Sequence, residues 1–266
     1  MTMTDRTASA TGETSRFYDG LASAYDTMTQ YENRFPLEKP FFRLLVDRYA
    51  IRKALDAGCG TGFHSMVLAQ LGVDVTAVDI SDEMLKTASA HAQELGLRIT
   101  TVKSSFQDLP SHTDTRYDAV FCLGNSLVHL LEAGDLKITM KNFSSLLKPE
   151  GILFIQLLNY EKILKERKTI QNQREFNGLT IRREYEYEER FIRFTIRSVR
   201  SDGKENLEHA TTVRIRPLVR TDIIPELSSS GFTGVKTYGG ISMTDFKPAD
   251  SKDLVILAKR IMEDNT

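Results

Sequence analysis

Residues 54–65, ALDAGCGTGFHS, decide the fold, because a short apolar run leads directly into a loop that carries Gly58, Gly60 and Gly62. An apolar strand, a glycine-rich turn and a following helix are typical of the ligand-binding edge of an α/β sheet. Glycine lacks a Cβ, so a loop of this kind lets a ligand lie close to the backbone. The sequence around the loop narrows the identity of that ligand.

Apolar runs of strand length continue beyond the loop, at residues 73–80, 98–105, 117–124 and 152–159. A helical pattern separates each run from the next. Alternation of this kind predicts an α/β fold, with a Rossmann-like, doubly wound and mostly parallel sheet. We assign residues 51–165 and 217–266 to this core.

Residues 166–216 follow a different pattern, in which β-branched and aromatic residues recur at a period of two. The pattern predicts an antiparallel β insertion of three strands after the fifth core strand, with a hairpin turn at Asp202-Gly203. We expect the insertion to line the substrate site. Its many arginines form either a solvated sheet face or an anion-binding lid.

The N-terminal region divides into two parts. Residues 1–15 are polar and rich in Thr and Ser, which predicts a disordered tail. Residues 16–50 have a helical pattern and predict a cap over the bound ligand. Proline disfavours helix interiors, so we expect breaks near Phe35-Pro36 and at Pro40.

The composition limits the classes of partner. With 266 residues and a net charge of −1, the chain fits one large domain with an insertion and gives no indication of a nucleic-acid partner. No apolar run approaches the roughly 20 residues that span a bilayer, so no membrane partner is expected. Two cysteines provide neither a disulfide framework nor zinc-ligand spacing. We therefore expect a cytoplasmic protein without a metal.

Three ligands are candidates for the glycine loop. A nucleoside triphosphate is set aside because no Lys follows the glycines as a P-loop requires. A dinucleotide such as NAD is the second choice, because Phe63 stands where the third glycine of GxGxxG would fall. S-adenosylmethionine has no phosphate and needs only close backbone approach and an acid for its ribose. Asp79 ends the second strand, 17 residues after Gly62, and supplies that acid.

Ordered motifs then give a specific resemblance. LDAGCGTG (55–62) followed by VDISDEML (78–85) resembles motif I and the acidic loop of class I S-adenosylmethionine-dependent methyltransferases. The glycine N-methyltransferase and glycine/sarcosine N-methyltransferase family is similar in four further segments, which are YDTMTQYENR (25–34), YDAVFCLGNSLVHL (117–130), LLNYEKIL (157–164) and RPLVRTDIIPELSSSGFTGVKTYGG (216–240). The resemblance runs from about residue 17 to the C-terminus. It implies methyl transfer from S-adenosylmethionine, with S-adenosylhomocysteine as product, to a small-molecule acceptor, and it leaves a homo-oligomer open.

The resemblance implies residues for the methionine end of the cofactor. The backbone at Gly58 and Gly60 would contact the methionine part, and Leu123 would offer its backbone to the amino group. Arg34 would pair with the methionine carboxylate, for which a planar guanidinium is well shaped. Tyr25 takes the place of the aromatic side chain that closes over the cofactor.

For the adenosine end, the resemblance implies that Asp79 binds the ribose hydroxyls. Ser105 would accept a hydrogen bond from adenine N6, where many relatives carry Asp or Asn, and Phe106 would stack nearby. Met84 would pack on the adenine, or else belong to the core.

The acceptor would lie beside the segment that follows the fourth strand. The resemblance places the accepting nitrogen near Gly124 and Asn125, and His129 would orient it or serve as a structural histidine. Asn159 and Tyr160 would line the pocket. Asn125 and His129 are thus the candidate catalytic residues.

The chain departs from the family at one important position. In glycine-methylating relatives an Arg precedes the Asn-Tyr of the fifth strand and pairs with the substrate carboxylate, whereas this chain has Leu158. A leucine cannot pair with a carboxylate, which favours an acceptor with a more apolar body. Other arginines could replace the missing one from the insertion, such as Arg183, Arg193, Arg197 or Arg220.

Two other functions stay open. A small-molecule O-methyltransferase would need a base for the hydroxyl proton, and His129 is the candidate near the fourth-strand segment. A non-catalytic protein that binds S-adenosylmethionine as a sensor would share the cofactor residues but release no S-adenosylhomocysteine.

Overall fold

The structure, a computed structural model, describes residues 3–112, 115–176, 179–201 and 206–262. Its strands are β1 (Lys53–Ala57), β2 (Asp74–Asp79), β3 (Thr100–Lys103), β4 (Tyr117–Cys122), β5 (Leu147–Leu158), β6 (Ile170–Phe176), β7 (Leu179–Tyr187), β8 (Ile192–Ser201), β9 (Asn206–Ile215), β10 (Phe232–Tyr238) and β11 (Asp253–Arg260). Its helices are α1 (Met3–Asp19), α2 (Ala22–Thr29), α3 (Tyr31–Arg48), α4 (Phe63–Gln70), α5 (Asp82–Glu94), α6 (Ala133–Leu146), α7 (Tyr160–Glu166) and α8 (Arg220–Ser229).

The core is a seven-stranded sheet in the order β10-β11-β5-β4-β1-β2-β3. The five strands from β5 to β3 are parallel to one another, while β11 runs antiparallel to β5 and β10 antiparallel to β11. The predicted Rossmann-like, mostly parallel sheet is therefore confirmed. The strand order reverses between β1 and β4, and ligands of such sheets bind at the carboxyl ends of the strands at this point.

The central strands are apolar on both faces because helices cover both. Leu55 of β1, Val120 of β4 and Ile155 of β5 are completely buried. The glycine loop follows β1 at the reversal point, so the core fixes the position of that loop. Within the described ranges, no helix combines the length and the apolar character needed to cross a bilayer.

The insertion forms a separate four-stranded antiparallel sheet in the order β6-β7-β8-β9. It contains one strand more than predicted, because the sequence of β6, IQNQREF, is mostly polar and has no clear two-residue alternation. The predicted turn at Asp202-Gly203 lies outside the described residues. The strands on either side of it are paired as far as Ser201 and Asn206.

The N-terminal tail differs from the prediction, because α1 begins at Met3. The end of this helix is attached to the core: Thr14 is buried, the Ser15 hydroxyl donates to the carbonyl of Ile80 at 3.2 Å, and the Ser81 hydroxyl donates to the Asp19 carboxylate at 2.6 Å. These tertiary contacts stabilise a segment whose own helical preference is weak. Residues 11–15 therefore lie against the core.

The predicted helix breaks at the prolines are also corrected. Pro36 and Pro40 both lie inside α3, and the chain breaks instead at Gln30, whose φ is +57°. The apolar face of α3 buries Tyr31 and Phe42. We attribute the continuity of α3 to this packing, which offsets the backbone hydrogen bonds that the prolines remove.

Candidate active site

Two adjoining cavities open at the carboxyl ends of β1, β2 and β4. We define the inner cavity by the part of its lining that comes from the core loops, which is Gly58, Gly60, Asp79, Ser105, Phe106 and Leu123. The outer cavity is bounded by the fifth strand and the insertion, through Asn125, Gln156, Leu158, Asn159, Arg183 and Tyr185. The two cavities share part of their lining, which includes Tyr18, Tyr25, Arg34, Gly124 and His129.

The glycine loop lies directly against the loop that follows β4. Gly58 has a φ of +76°, and a Cβ on it would lie 2.7 Å from Oγ of Ser126. That Oγ is 2.8 Å from the carbonyl oxygen of Leu123 and 3.3 Å from that of Gly58, so it bridges the two loops. Tyr25 covers Gly60, because a Cβ there would lie 3.7 Å from Cε1 of the tyrosine. The inner cavity thus has a floor of backbone and an aromatic cover.

Asp79 ends β2 at the wall of the inner cavity. Its Oδ2 accepts a hydrogen bond from the Gly60 amide at 2.8 Å, and Oδ1 accepts one from the Ser81 amide at 3.0 Å. Burial raises the pKa of this carboxyl to about 6, against the lowering effect of the backbone hydrogen bonds. The carboxylate therefore holds the glycine loop and keeps lone pairs for hydroxyl donors in the cavity.

The loop after β3 provides the opposite end of the inner cavity. The Ser105 hydroxyl donates to the Asp108 carboxylate at 2.7 Å and accepts from the Asp108 amide at 3.1 Å, which leaves one lone pair on Oγ. Phe106 lies beside the glycine loop, with its Cζ 3.2 Å from the position of a Cβ on Gly58. Asn142 fixes this loop, because its Nδ2 donates to the carbonyl of Phe106 at 2.9 Å.

Met84 does not line the inner cavity. It is completely buried in the first turn of α5. Its amide donates a hydrogen bond at 3.1 Å to Oγ of Ser81, the N-cap residue of that helix. Met84 is therefore packed in the core, which was the alternative prediction for this residue.

Arg34 lines both cavities as a member of a charged cluster on α3 and α4. Its Nε donates to Oε1 of Glu38 at 2.7 Å, and Oε2 of Glu38 lies 3.2 Å from Nε2 of His64. Burial acts to raise the pKa of Glu38, but the hydrogen bonds from His64 and Arg34 prevail and lower it to about 2. The sequence analysis did not identify Glu38 or His64, although Glu38 lies one helical turn after Arg34. The cluster fixes the direction of the guanidinium.

The side chain of Asn125 is engaged by the protein scaffold. Its Oδ1 accepts from the Leu158 amide at 3.1 Å, and its Nδ2 donates to the Tyr160 hydroxyl at 2.9 Å. Tyr160 is buried behind the cavities, close enough to Tyr185 of β7 for the two phenols to shift each other's pKa. Asn159 caps α7 by accepting from the Lys162 amide. These contacts make the predicted acceptor residues a frame that joins the core to the insertion.

His129 is partly buried, and a hydrogen bond of 2.9 Å joins its Nε2 to the Tyr18 hydroxyl. Burial lowers the pKa of His129 to about 4, so the ring is neutral at physiological pH. Burial also raises the pKa of Tyr18 well above its usual value, so the phenol stays protonated. Tyr18 was missed by the sequence analysis, although it stands seven residues before Tyr25 in the same helical region.

The inner cavity fits S-adenosylmethionine. The glycine backbone allows close approach, the Asp79 carboxylate suits ribose hydroxyls, and the Arg34 guanidinium retains donors beyond the Nε bound to Glu38. The shared lining around Gly124 is where a methyl group in the inner cavity would face a second ligand in the outer cavity. Within the described residues, no group of three His, Cys, Asp or Glu side chains could hold a metal ion.

Comparisons with known proteins agree with this geometry. A methyltransferase-domain family model matches residues 54–151. A crystal structure of an S-adenosylmethionine-dependent methyltransferase from Clostridium acetobutylicum ATCC 824 has the same fold, with a TM-score of 0.78 at 20% identity over 92% of this chain and 99% of that one. The chain is also 37% identical over 107 residues to the ubiquinone biosynthesis O-methyltransferase of Xanthomonas axonopodis pv. citri (strain 306), a match that covers 40% of this chain and 43% of the relative.

A longer match includes the insertion region. Over 229 residues the chain is 31% identical to the glycine/sarcosine N-methyltransferase of Aphanothece halophytica, and the match covers 86% of this chain and 84% of the relative. These similarities confirm the predicted enzyme class and the predicted cofactor, S-adenosylmethionine. The chain belongs to the glycine/sarcosine N-methyltransferase family of S-adenosylmethionine-dependent methyltransferases.

Proposed function

We propose that the protein transfers a methyl group from S-adenosylmethionine to the nitrogen of a small amine. One observation carries this proposal: the histidine beside the fourth-strand loop is a poor base. His129 has a pKa lowered to about 4 by burial, and its Nε2 is hydrogen-bonded to Tyr18. An alcohol acceptor needs a base for its proton, whereas an amine that arrives neutral attacks with its own lone pair.

The reaction needs little more than correct placement of the two ligands. S-adenosylmethionine supplies a methyl group on a positively charged sulfur. The acceptor nitrogen uses its lone pair to form the new bond to the methyl carbon, while the carbon–sulfur bond breaks and its electron pair stays with sulfur. The methylated ammonium then gives a proton to water. Holding both ligands in line and excluding water accounts for most of the rate enhancement.

The residues around Gly124 support this placement. Gly124 lines both cavities with a φ of +68°, and a Cβ on it would meet no atom within 4 Å. Its amide donates to Oε1 of Gln156 at 2.8 Å, and Gln156 in turn donates to Asp253 at 3.1 Å. The next amide, of Asn125, donates to the carbonyl of Gln156 at 3.2 Å, which fixes the peptide that carries the Gly124 carbonyl. That carbonyl can accept a hydrogen bond from the acceptor nitrogen.

The relatives favour nitrogen over oxygen. The match to a glycine/sarcosine N-methyltransferase covers most of both chains, whereas the match to an O-methyltransferase covers less than half of either. We infer that the shorter match reflects the common cofactor-binding part. Two free, buried cysteines, Cys59 and Cys122, suit the cytoplasm as the place of the reaction.

The test measures S-adenosylhomocysteine release from S-adenosylmethionine with a panel of small amines and, in parallel, the alcohols in which a hydroxyl replaces each amine. Release with amines and not with the alcohols supports the proposal. Release with the alcohols alone would contradict it and favour the O-methyltransferase. Binding of S-adenosylmethionine without release on either panel would instead favour the non-catalytic sensor.

A further inference from the structure

The outer cavity contains Leu158 at the position where relatives are expected to bind a carboxylate. A positive charge that binds an acceptor carboxylate must therefore come from another element. The sequence analysis named four arginines as replacements, and three of them already have acidic partners. Arg193 pairs with Glu186, Arg197 with Glu184 and Glu208, and Arg220 with Glu161. None of these three lines either cavity. The fourth, Arg183, lines the outer cavity. Arg174 of β6 also lines it, but its Nη1 donates to the carbonyl of Met28 at 3.2 Å.

Arg183 lies in a mostly apolar row of the insertion sheet. Its neighbours two residues away on β7 are Ile181 and Tyr185, and Ile196 is opposite it on β8. Residues in these positions share one face of a sheet. All three neighbours are buried, and Arg183 itself is partly buried. A cation in this row faces the cavity and not the solvent side of the sheet.

Among the residues that the structure describes, the guanidinium of Arg183 forms neither an ion pair nor a hydrogen bond with another protein group. Placing a charge in an apolar wall without a partner is costly. The positive charge also acts on the phenols of Tyr18, Tyr25 and Tyr185, where it lowers each pKa against the larger raising effect of burial. Tyr18 and Tyr25 line both cavities, so the guanidinium acts close to the junction at which the methyl group would be transferred.

We propose that Arg183 binds an anionic group on the acceptor and so selects a small amine that carries a carboxylate. This inference rests on the proposed N-methylation. The guanidinium would take the carboxylate as a bidentate partner from the β7 wall, while the amine lies at the Gly124 carbonyl. Leu158, which lines the same cavity from β5, would then pack against the carbon skeleton of the acceptor.

The test compares amines that differ only in the carboxylate. The acceptors are glycine, sarcosine and β-alanine, each set beside the amine that lacks its carboxylate, namely methylamine, dimethylamine and ethylamine. We expect the native enzyme to favour the carboxylate-bearing member of each pair. Arg183→Gln should raise the KM for the preferred amino acid about 100-fold, because it removes a charged bidentate contact.

The matched control is Arg182→Gln. Arg182 is the neighbouring residue of β7 and points to the opposite face, where its Nε donates to Gln173 at 2.8 Å. This variant should leave the KM for the amino acid within about twofold, which is the change expected for an exposed polar contact. The affinity of Arg183→Gln for S-adenosylhomocysteine, measured by calorimetry, should equal that of the native protein.

Each other result has a separate meaning. Native turnover on the carboxylate-free amines alone would overturn the role of Arg183 and leave N-methylation in place. No release with any amine would instead remove the proposed function itself. If Arg183→Gln fails to fold or loses S-adenosylhomocysteine, Arg183→Lys decides: a raised KM with unchanged cofactor affinity supports the acceptor role, and an unchanged KM refutes it.

Discussion

We predict that Asp79 makes cofactor binding depend on pH, and the pKa of its carboxyl sets the size of the effect. The carboxylate form accepts hydrogen bonds from ribose hydroxyls, whereas the protonated form has one acceptor fewer. Burial raises the pKa of Asp79 in the free protein to about 6. Lowering the pH from about 7 to about 5 should therefore weaken binding of S-adenosylhomocysteine about tenfold.

The magnitude follows from the ionised fraction. With a pKa of about 6, roughly nine-tenths of the carboxyl is ionised at about pH 7 and roughly one-tenth at about pH 5. If the ligand binds only the ionised form, the binding free energy weakens by about 1.4 kcal/mol from the higher to the lower pH. At the lower pH, binding then releases nearly one proton. His129, with a pKa of about 4, and Glu38, with a pKa of about 2, titrate below this interval.

The contribution of Asp79 to stability has the opposite direction. A carboxyl whose pKa rises from 3.8 to about 6 on folding binds more protons in the folded state than in the unfolded state between those values. Its contribution to the free energy of unfolding of the ligand-free protein is therefore greatest below the lower value and is lost as the pH rises through about 6. The increase in Tm caused by S-adenosylhomocysteine should grow over the same interval.

Calorimetry in two buffers of different ionisation enthalpy measures both the affinity and the number of protons released. Asp79→Asn should bind S-adenosylhomocysteine weakly at every pH, because the variant lacks the charged acceptor. Its side-chain NH₂ group would also face one of the two backbone N–H donors, that of Gly60 or that of Ser81. The matched control is Asp74→Asn, at the exposed start of the same strand, where the carboxylate pairs with Lys53 at 3.0 Å. Native affinity that stays constant from about pH 5 to about pH 7 would refute the role of the Asp79 carboxylate.

Three further predictions concern the loops and the shared lining. Gly58→Ala places a Cβ 2.7 Å from Oγ of Ser126 and should weaken S-adenosylhomocysteine binding about tenfold or more. The control Gly72→Ala has a φ of +84° and no atom within 4 Å of its Cβ, so it should lower Tm and leave binding unchanged. Arg34→Gln should weaken that ligand about tenfold and leave 5′-methylthioadenosine, which has no carboxylate, unaffected; equal losses would exclude the carboxylate as its partner. His129→Asn should reduce kcat for an amine less than about tenfold, and a loss near a thousandfold would identify a catalytic base.

The sequence predicted the parts of the fold that depend on local pattern. The strand–glycine–helix unit around Gly58 and the acid at Asp79 are determined within about 30 residues of chain, and the structure brings both to the inner cavity. The polar strand β6 and the prolines of α3 were misjudged, because their conformation depends on packing against distant elements. Local preference is weaker than such packing when the two conflict.

The acceptor side could be predicted only in part, since its contacts join distant segments. Tyr18 meets His129 across 111 residues of chain, and Asn125 meets Tyr160 across 35. No spacing rule relates such pairs. The four arginines that the sequence analysis named look alike in sequence, and only the register of β7 with β8 distinguishes Arg183 from Arg197.

In its proposed role, Arg183 would give the acceptor site a positive charge although β5 carries Leu158 and no arginine there. Leu158 and Arg183 lie on different walls of the same cavity. The wall that carries Arg183 is held against the core by α1, which binds Ser81 through Asp19 and packs Phe17 on Phe194 with ring centroids 5.7 Å apart. A guanidinium on this wall can therefore be positioned as firmly as one on β5. The residues that we propose for the cofactor lie on α2, α3, the end of β2 and the loops after β1, β3 and β4, and none lies on β5 or β7. The charge can therefore move between these two strands and leave the proposed cofactor contacts unchanged. Changes on the inner face of β7 should consequently alter the KM for the acceptor and not the affinity for S-adenosylhomocysteine.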